Sequence, residues 1–309
     1  MTIQQLQYVV ALDTHRHFVK AAKSRHVAQP TLTLQVKKLE DEIGLVLFDR
    51  SSKPLVPTPL GKIFIEKTRT ILNEIAELKE TVNTNRENIE GEFRIGMIPT
   101  LLPNLLPLFI TDFIQNHPKT KLIIDELQSE KIIELLLQKE LDIGILATPL
   151  NERHIREVPL FYEPFMVYTN QKDEALIKKQ VLNRQLRPEG LWLLQKGHCF
   201  RNHTLNVCQF DASKQHKNIA LEGGSIATLK KMVQTISGYT LIPELAYDEK
   251  TDAPYVIPFS KPQPVREISI VTHKHFFKEK LIIELRKSIL KNTPDHFKKN
   301  TRYKTITWR

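Results

Sequence analysis

The feature that most constrains the fold is a long amphipathic segment near residues 60–89 of this 309-residue chain. Thr58 suits the N-cap of a helix and Pro59 its first position, because proline lacks the N–H that would be unpaired there. One face of this helix would form a seam with a partner helix. Its residues are spaced alternately four and three apart, which is typical of a coiled coil: Phe64, Thr68, Ile71, Ile75, Leu78 and Val82. A helix of about 30 residues is roughly 45 Å long and needs a partner. The pattern therefore predicts a linker and dimerisation helix over residues 61–90, with packing on the chain's own C-terminal domain as the alternative.

The segment before this helix predicts a small helical domain over residues 1–60. Apolar periodicity indicates helices over residues 3–12 and 18–23, and Pro30 suits the start of a third. On that third helix, four apolar residues fall within about 60° of one another: Leu32, Val36, Leu39 and Ile43. The outward face is mostly polar, with Gln29, Pro30, Thr31, Thr33, Leu34, Lys37 and Lys38. Such a face fits the major groove of DNA, where short polar groups contact base edges and lysines contact phosphates; an ordinary solvated face is the alternative.

A short strand pair after Leu45, ending at Pro57, completes the pattern of a winged helix-turn-helix. From this wing, Arg50 and Lys53 would approach the DNA backbone or the minor groove. Residues 1–62 hold nine basic and five acidic side chains, and a positive excess suits a polyanionic partner. The sequence therefore predicts double-stranded DNA as a partner of this domain.

Beyond Glu92, strands alternate with helices, which predicts an α/β domain with a largely parallel sheet. The first strands are expected at Phe93–Met97, Lys121–Glu126 and Asp142–Ala147, with helices at Leu105–Asn116 and Ser129–Gln138 between them. Later strands are expected at 161–167, 238–243 and 266–272, with a final helix over 275–291 that returns to the first lobe. We predict lobe I over about 91–162 plus 267–295 and lobe II over about 163–266.

The chain holds only two cysteines, Cys199 and Cys208. Cys199 lies beside His198 and Arg201, and positive charge lowers a thiol pKa, whereas Cys208 has apolar neighbours. This arrangement suits a sensing and a resolving cysteine. From the residues alone, three other interpretations stay open: inert buried thiols, a zinc site with His203, and a hydrolytic nucleophile. The spacing excludes a C-x-x-C redox centre.

Membrane and export signals are not recognisable in the sequence. No apolar run reaches the length of a membrane span, and the N-terminus lacks the apolar core of a signal peptide. We therefore expect a cytoplasmic protein with no membrane contact, whose thiols rest in the reduced state.

The N-terminal motifs together resemble the LysR-type transcriptional regulators. The resemblance rests on about 60 residues at fixed spacing, namely Phe18, Ala21, Ala22, Val27-Ala28-Gln29-Pro30-Thr31-Leu32-Thr33, Val36-Lys37-Lys38-Leu39-Glu40, Gly44, Leu47, Phe48, Arg50, Thr58, Pro59 and Gly61. It implies an α/β protein with an all-α winged helix-turn-helix domain, a long linker helix and a two-lobed regulatory domain like the periplasmic binding proteins, over residues 91–309.

Gly197-His198-Cys199 with Arg201, Cys208 and Pro99-Thr100 resembles the peroxide-sensing branch of that family. The resemblance implies that Cys199 is the peroxidatic and Cys208 the resolving cysteine of a reversible disulfide. The residues implied near the peroxide are Thr100, Ser129, His198, Arg201 and Arg266. Ser129 stands where the branch has threonine. The basic segment after Lys298 lies outside the resemblance.

The same resemblance implies a regulator that activates oxidative-stress genes, rather than an enzyme, with hydrogen peroxide as its signal and no cofactor or metal. Its implied partners are RNA polymerase, a glutaredoxin- or thioredoxin-type reductant, and a second copy that forms a homodimer through the linker helix. A homotetramer is also implied, and the sequence leaves dimer versus tetramer open. A LysR-type regulator that responds to a metabolite between its lobes is the alternative function; a thiol peroxidase is disfavoured because a third of the chain is given to DNA binding and dimerisation.

Overall fold

The computed structural model describes residues 1–52, 54–82, 89–170, 180–182, 185–210, 224–236, 238–298 and 303–308. The chain divides into two compact units, Met1–Arg86 and Glu87–Arg309. No helix among the described residues is both long and apolar enough to cross a membrane.

The first unit begins with the three predicted helices: α1 (Ile3–His15), α2 (Phe18–Ser24) and α3 (Gln29–Ile43). Thr2 caps α1 through a capping box with Gln5, which satisfies two N–H groups at the helix start. Gly44 ends α3 in the left-handed conformation with φ 68°, where a glycine carries no Cβ penalty. The shared core contains Leu32, Val36 and Leu39 of α3 together with Leu6, Val9, Leu12, Ala21 and Ala22.

A two-stranded wing follows, formed by β1 (Phe48–Asp49) and the antiparallel β2 (Val56–Pro57). The next helix, α4 (Pro59–Val82), begins as predicted, with Gly61 N–H donating to the Thr58 hydroxyl at 2.9 Å. A Cβ on Gly61 would lie 2.1 Å from the Leu47 carbonyl oxygen, so this position requires glycine. The predicted end of the linker helix, residues 83–88, lies outside the described residues.

The two halves of α4 differ in their surroundings. Thr68 is buried, and Arg69 forms an ion pair of 2.8 Å with Asp13 of α1. Thr68 is therefore a core residue of its own domain, and the prediction that it lies on an intermolecular seam is wrong. Further along, Ile71 and Leu78 are exposed, so an apolar stripe remains open within the described part of the unit.

Lobe I of the second unit has the predicted alternation of strands and helices. Its elements are β3 (Gly91–Met97), α5 (Leu102–Asn116), β4 (Thr120–Glu126), α6 (Ser129–Leu137) and β5 (Ile143–Thr148). The strands β4, β3 and β5 are adjacent and parallel. This part of the sheet agrees with the sequence.

Two long strands connect the lobes, β6 (Ile155–Thr169) and β9 (Gln263–His273), and they pair antiparallel with each other. The pairs β5–β9, β6–β7 (Tyr239–Pro243) and β6–β8 (Val256–Pro258) are also antiparallel. The prediction of a largely parallel sheet therefore holds for β4, β3 and β5 and is wrong for these antiparallel pairs. The chain leaves lobe I on one crossing strand and returns on the neighbouring one, so the two must run in opposite directions.

Lobe II contains α7 (Cys199–Cys208), α8 (Ile226–Ile236) and the one-turn α9 (Glu249–Asp252). Helix α10 (Glu279–Asn292) returns to lobe I, where Ser288 bonds to Asp112 of α5 at 2.7 Å. The last strand, β10 (Tyr303–Thr305), pairs parallel with β9. Each lobe has its own buried apolar cluster.

Candidate functional site

The candidate DNA-binding surface is the outward face of α3. Gln29, Thr31, Leu34, Lys37 and Lys38 are exposed, Pro30 is exposed at the helix start, and Thr33 is half-buried. The Thr33 hydroxyl donates to the Gln29 carbonyl at 2.9 Å and receives the Gln29 amide at 3.1 Å. The face is accessible as the sequence predicts, and its contacts with DNA remain a prediction.

Arg50 has a structural contact that the sequence did not indicate. Its guanidinium donates to the buried carboxylate of Glu40 at 2.6 Å, and the other oxygen of that carboxylate accepts the Leu47 N–H at 2.8 Å. Arg50 thus ties the first wing strand to α3. Lys53, the other predicted wing contact, lies outside the described residues.

Both cysteines lie on one helix, at the first and the last residue of α7. Nine residues at 1.5 Å per residue separate their Cα atoms by about 14 Å, whereas a disulfide needs Cα atoms within about 7 Å. Cys199 belongs to the apolar cluster of lobe I and Cys208 to that of lobe II. Both thiols are free and buried, and a bond between them requires α7 to unwind.

A buried ion pair lies beneath the N-terminus of α7. Arg266, on β9, and Glu163, on β6, are both fully buried and joined at 2.7 Å. The same guanidinium donates to the Thr100 hydroxyl at 2.8 Å and lies 5.2 Å from the centre of the Phe200 ring. A buried charge needs a partner and hydrogen bonds, and this arrangement supplies both.

Burial dominates the electrostatics of Cys199 and raises the pKa of its thiol. The opposing influences come from the Ser129 hydroxyl, the Arg266 charge, and the backbone N–H groups at the start of α7. The role of His198 and Arg201 in stabilising the thiolate stays a prediction, and the cation that lowers the pKa of Cys199 is Arg266. The Arg201 guanidinium donates to the Leu194 carbonyl at 2.9 Å, and burial lowers the pKa of His198, which reduces its positive charge at neutral pH.

The Ser129 hydroxyl is buried and has no hydrogen-bond partner among the described residues. Its proximity to the Cys199 sulfur nevertheless lowers the pKa of that thiol, so this hydroxyl is available to the sulfur and to what reacts with it. Beside it lies a small cavity lined by Ile98, Pro99, Thr100, Gln128, Ser129, His198, Cys199 and Phe200. The structure thus gathers four of the predicted site residues around one space.

Cys208 has the sheltered setting that the sequence predicts. It is buried with Val207, and Leu205 and Phe210 pack against the same cluster. Burial raises its pKa to about 12, so the group is a protonated thiol at neutral pH. The zinc interpretation finds no support, because α7 places Cys208 two and a half turns from Cys199 and, within the described ranges, no three metal-ligating side chains converge.

Two family models match the chain. The bacterial regulatory helix-turn-helix protein, lysR family, matches residues 3–62, and the LysR substrate binding domain matches residues 86–292.

This chain belongs to the LysR family.

Individual members of the family show the same likeness. The DNA-binding transcriptional dual regulator OxyR of Escherichia coli (strain K12) is 37% identical over 273 residues, which are 88% of this chain and 89% of that protein. The hydrogen peroxide-inducible genes activator of Haemophilus influenzae is 33% identical over 273 residues, which are 88% of this chain and 90% of that protein. A solved structure of a full-length OxyR variant from Pseudomonas aeruginosa has a TM-score of 0.80 and 31% identity, covering 95% of this chain and 99% of that one.

The cavity beside Cys199 bears on what this LysR-family chain can bind. About 10 Å³ is open to the centre of a water-sized molecule, which is roughly the room that one such molecule requires. Sites for larger organic ligands usually measure about 300–1,000 Å³. This cavity therefore admits a molecule of a few atoms and excludes a typical metabolite.

Glu163 is the site residue of this LysR-family chain that sequence reasoning missed. A signal was present, because a lone carboxylate stands in the strand-like run Phe161-Tyr162-Glu163-Pro164-Phe165. A charge within a buried strand requires a buried partner of opposite charge. The sequence does not show which cation is that partner. The antiparallel pairing of β6 with β9 places Glu163 opposite Arg266.

Proposed function

We propose that this chain is a DNA-binding transcriptional regulator that senses hydrogen peroxide and is switched by a reversible disulfide between Cys199 and Cys208. The observation that carries the proposal is the placement of the two thiols at opposite ends of α7, each in the core of a different lobe. A bond between them cannot form without remodelling both cores. Oxidation of two sulfur atoms is thereby coupled to the conformation of the whole regulatory unit.

In the first step, the Cys199 thiolate attacks one oxygen of hydrogen peroxide. The S–O bond forms as the O–O bond breaks, hydroxide leaves and takes a proton to become water, and Cys199 becomes a sulfenic acid. The thiolate is the reactive form, and Arg266 and Ser129 favour it. Thr100 accepts a hydrogen bond from Arg266, so its own hydroxyl hydrogen is free to be donated to the departing oxygen.

In the second step, the Cys208 thiol condenses with the sulfenic acid, the S–S bond forms and water leaves. In the chain-entropy account, a disulfide that closes a loop of about ten residues contributes a free energy of roughly 2.7 kcal/mol. The free-energy difference between the two states of a bistable element is of similar size. A thiol reductant of the glutaredoxin or thioredoxin type would return the pair to two thiols by exchange. Each cycle changes a conformation and releases no product for further use, which is the behaviour of a switch rather than an enzyme.

The remodelled regulatory unit would change how a dimer is placed on DNA and how it contacts RNA polymerase. We assign residues 1–60 to DNA binding, residues 61–90 to the linker and residues 91–309 to sensing. The exposed stripe on α4 that includes Ile71 and Leu78 supports a homodimer, because a second copy would cover it. Two dimers would form a tetramer.

The test of the proposed function is the operator footprint with and without peroxide, in the absence of any added metabolite. A footprint that changes with a stoichiometric amount of peroxide supports the proposal. A footprint that ignores peroxide and changes only with a metabolite extract favours the metabolite-responsive alternative. The small volume beside Cys199 favours the first result.

Lys37→Ala is expected to weaken operator binding and to reduce its salt dependence. Lys37 is exposed on α3, and each phosphate contact contributes about 0.9 to the slope of log affinity against log salt. A titration at several salt concentrations should show a slope smaller by about one, with little change in the preferred sequence. A slope equal to that of the unaltered protein would remove Lys37 from the DNA interface.

Leu78→Lys is expected to abolish or strongly weaken the homodimer. Leu78 is 67% exposed in a single chain, so lysine there leaves the monomer fold intact, but two lysines would face each other in the proposed seam. Sedimentation should show a monomer, and binding to a two-fold operator should fall with it. Ile236→Lys, at a 46% exposed position on α8, is the control that should remain a dimer. An intact Leu78→Lys dimer would contradict the linker-helix assignment.

A further inference from the structure

The C-terminal segment after β10 spans the same two cores as α7. Ile306 donates its N–H to the Val265 carbonyl at 2.8 Å, and its side chain lies in the lobe II cluster that contains Cys208. Two residues later, Trp308 lies in the lobe I cluster that contains Cys199, and its indole N–H donates to the Ala147 carbonyl at 2.9 Å. Residues 306–308 thus join both lobes across the helix that carries both cysteines.

Two asparagines of α7 hold this segment. The Asn202 amide donates to the Trp308 carbonyl at 3.2 Å, and the Asn206 amide donates to the Thr307 carbonyl at 2.8 Å. Residues four apart lie on one face of a helix, one turn of 5.4 Å from each other. One face of α7 therefore meets two consecutive residues of the C-terminal segment.

We propose that residues 306–308 form a strap that positions the reduced, helical form of α7 and thereby sets how readily the Cys199–Cys208 disulfide forms. The strap rests on the proposed function, since it acts on the same disulfide. Asn202 and Asn206 reach adjacent carbonyls only while α7 keeps its helical spacing, and the disulfide requires that spacing to be lost. Contacts made in one state alone stabilise that state, so the strap favours the reduced protein.

The test is the thiol–disulfide equilibrium of the full chain in glutathione buffers. Oxidised glutathione forms the protein disulfide and releases two molecules of reduced glutathione. Asn202→Ser with Asn206→Ser removes both amide donors, and serine has nearly the helix propensity of asparagine. We expect the equilibrium constant for disulfide formation to rise about tenfold. For this two-electron couple, that rise corresponds to a midpoint reduction potential about 30 mV more negative. Trp308→Phe, which loses the indole N–H and the fused five-membered ring, should shift the midpoint potential in the same direction.

Asn116→Ser is the matched control, because Asn116 donates to the Asp112 carbonyl at 2.7 Å on α5, away from the strap; its midpoint should equal that of the unaltered protein. A second measurement is amide hydrogen exchange over residues 199–208 in a chain with both cysteines changed to serine. The double asparagine variant should exchange there several-fold faster than its parent. An unchanged midpoint potential, or an unchanged rate of amide hydrogen exchange in α7, would contradict the proposed role of the strap.

The failure of the strap and the failure of the proposed function are distinguishable in these experiments. If the unaltered protein forms no Cys199–Cys208 disulfide in any buffer, the proposed switch is wrong and the exchange measurement alone decides whether the strap holds α7. If the disulfide forms normally and the double variant matches the unaltered protein, the switch stands and the strap is wrong.

Discussion

Cys199→Ser is expected to abolish peroxide consumption and the transcriptional response together, because serine cannot supply the attacking thiolate. Cys208→Ser should behave differently. It should consume one equivalent of peroxide and stop at a sulfenic acid on Cys199, which a dimedone-type reagent can trap and which further peroxide carries to sulfinic acid. The asymmetry follows from the two environments, because Arg266 and Ser129 act on the Cys199 sulfur, whereas burial raises the pKa of Cys208 to about 12.

The measurement is mass spectrometry of trapped protein after one equivalent of peroxide, with the double serine variant as the blank. Sulfenate trapped on Cys208 in the Cys199→Ser protein, formed as fast as sulfenate on Cys199 in the Cys208→Ser protein, would reverse the two roles. Slow oxidation of Cys208 over hours would leave the assignment intact.

Arg266→Met is expected to slow the reaction with peroxide about tenfold or more at pH 7. Arg266 is the positive charge that lowers the pKa of Cys199, and each unit by which the thiol pKa rises removes about nine-tenths of the thiolate. The rate should therefore reach its half-maximum at a higher pH than in the unaltered protein. Stopped-flow rates measured across a pH series will show the shift. Arg201→Ala is the matched control. It should leave the pH of half-maximal rate nearly unchanged, because the Arg201 guanidinium donates to the Leu194 carbonyl.

Arg266→Met also leaves Glu163 buried without its partner, which typically costs about 3–5 kcal/mol of stability. A second variant separates stability from chemistry. In Arg266→Met with Glu163→Leu, two apolar residues replace the buried pair, so the free energy of unfolding should recover while the rate stays low. Recovery of the rate together with stability would show that Arg266 acts through the fold alone. A larger effect from Arg201→Ala than from Arg266→Met would restore the assignment made from the sequence.

Local features of the chain were predictable because their causes are local. Apolar periodicity and Pro30 located α3, and the Thr58–Pro59 start of α4 was correct because a side-chain cap acts within one turn. The cysteine environment was only half predictable. Apolar neighbours along the chain identified Cys208 as sheltered, since helix neighbours share its surroundings.

The errors concern partners distant in sequence. Arg201 was assigned to Cys199 because it is two residues away, whereas the contribution of Arg266 to the Cys199 pKa depends on the pairing of β6 and β9, which local sequence does not reveal. Thr68 was assigned to an intermolecular seam because periodicity does not reveal which partner covers a helix face. The antiparallel crossing strands were missed for a related reason, because strand order is set by how the chain returns between lobes.

The most direct test of the central claim is a count of free thiols in the full chain before and after one equivalent of hydrogen peroxide, with the linked peptides identified by mass spectrometry. The account predicts two free thiols before peroxide, none after it, and a single Cys199–Cys208 linkage that a dithiol reductant reverses. Two thiols that persist after peroxide, or a protein in which only Cys199 is oxidised and Cys208 remains free, would contradict it.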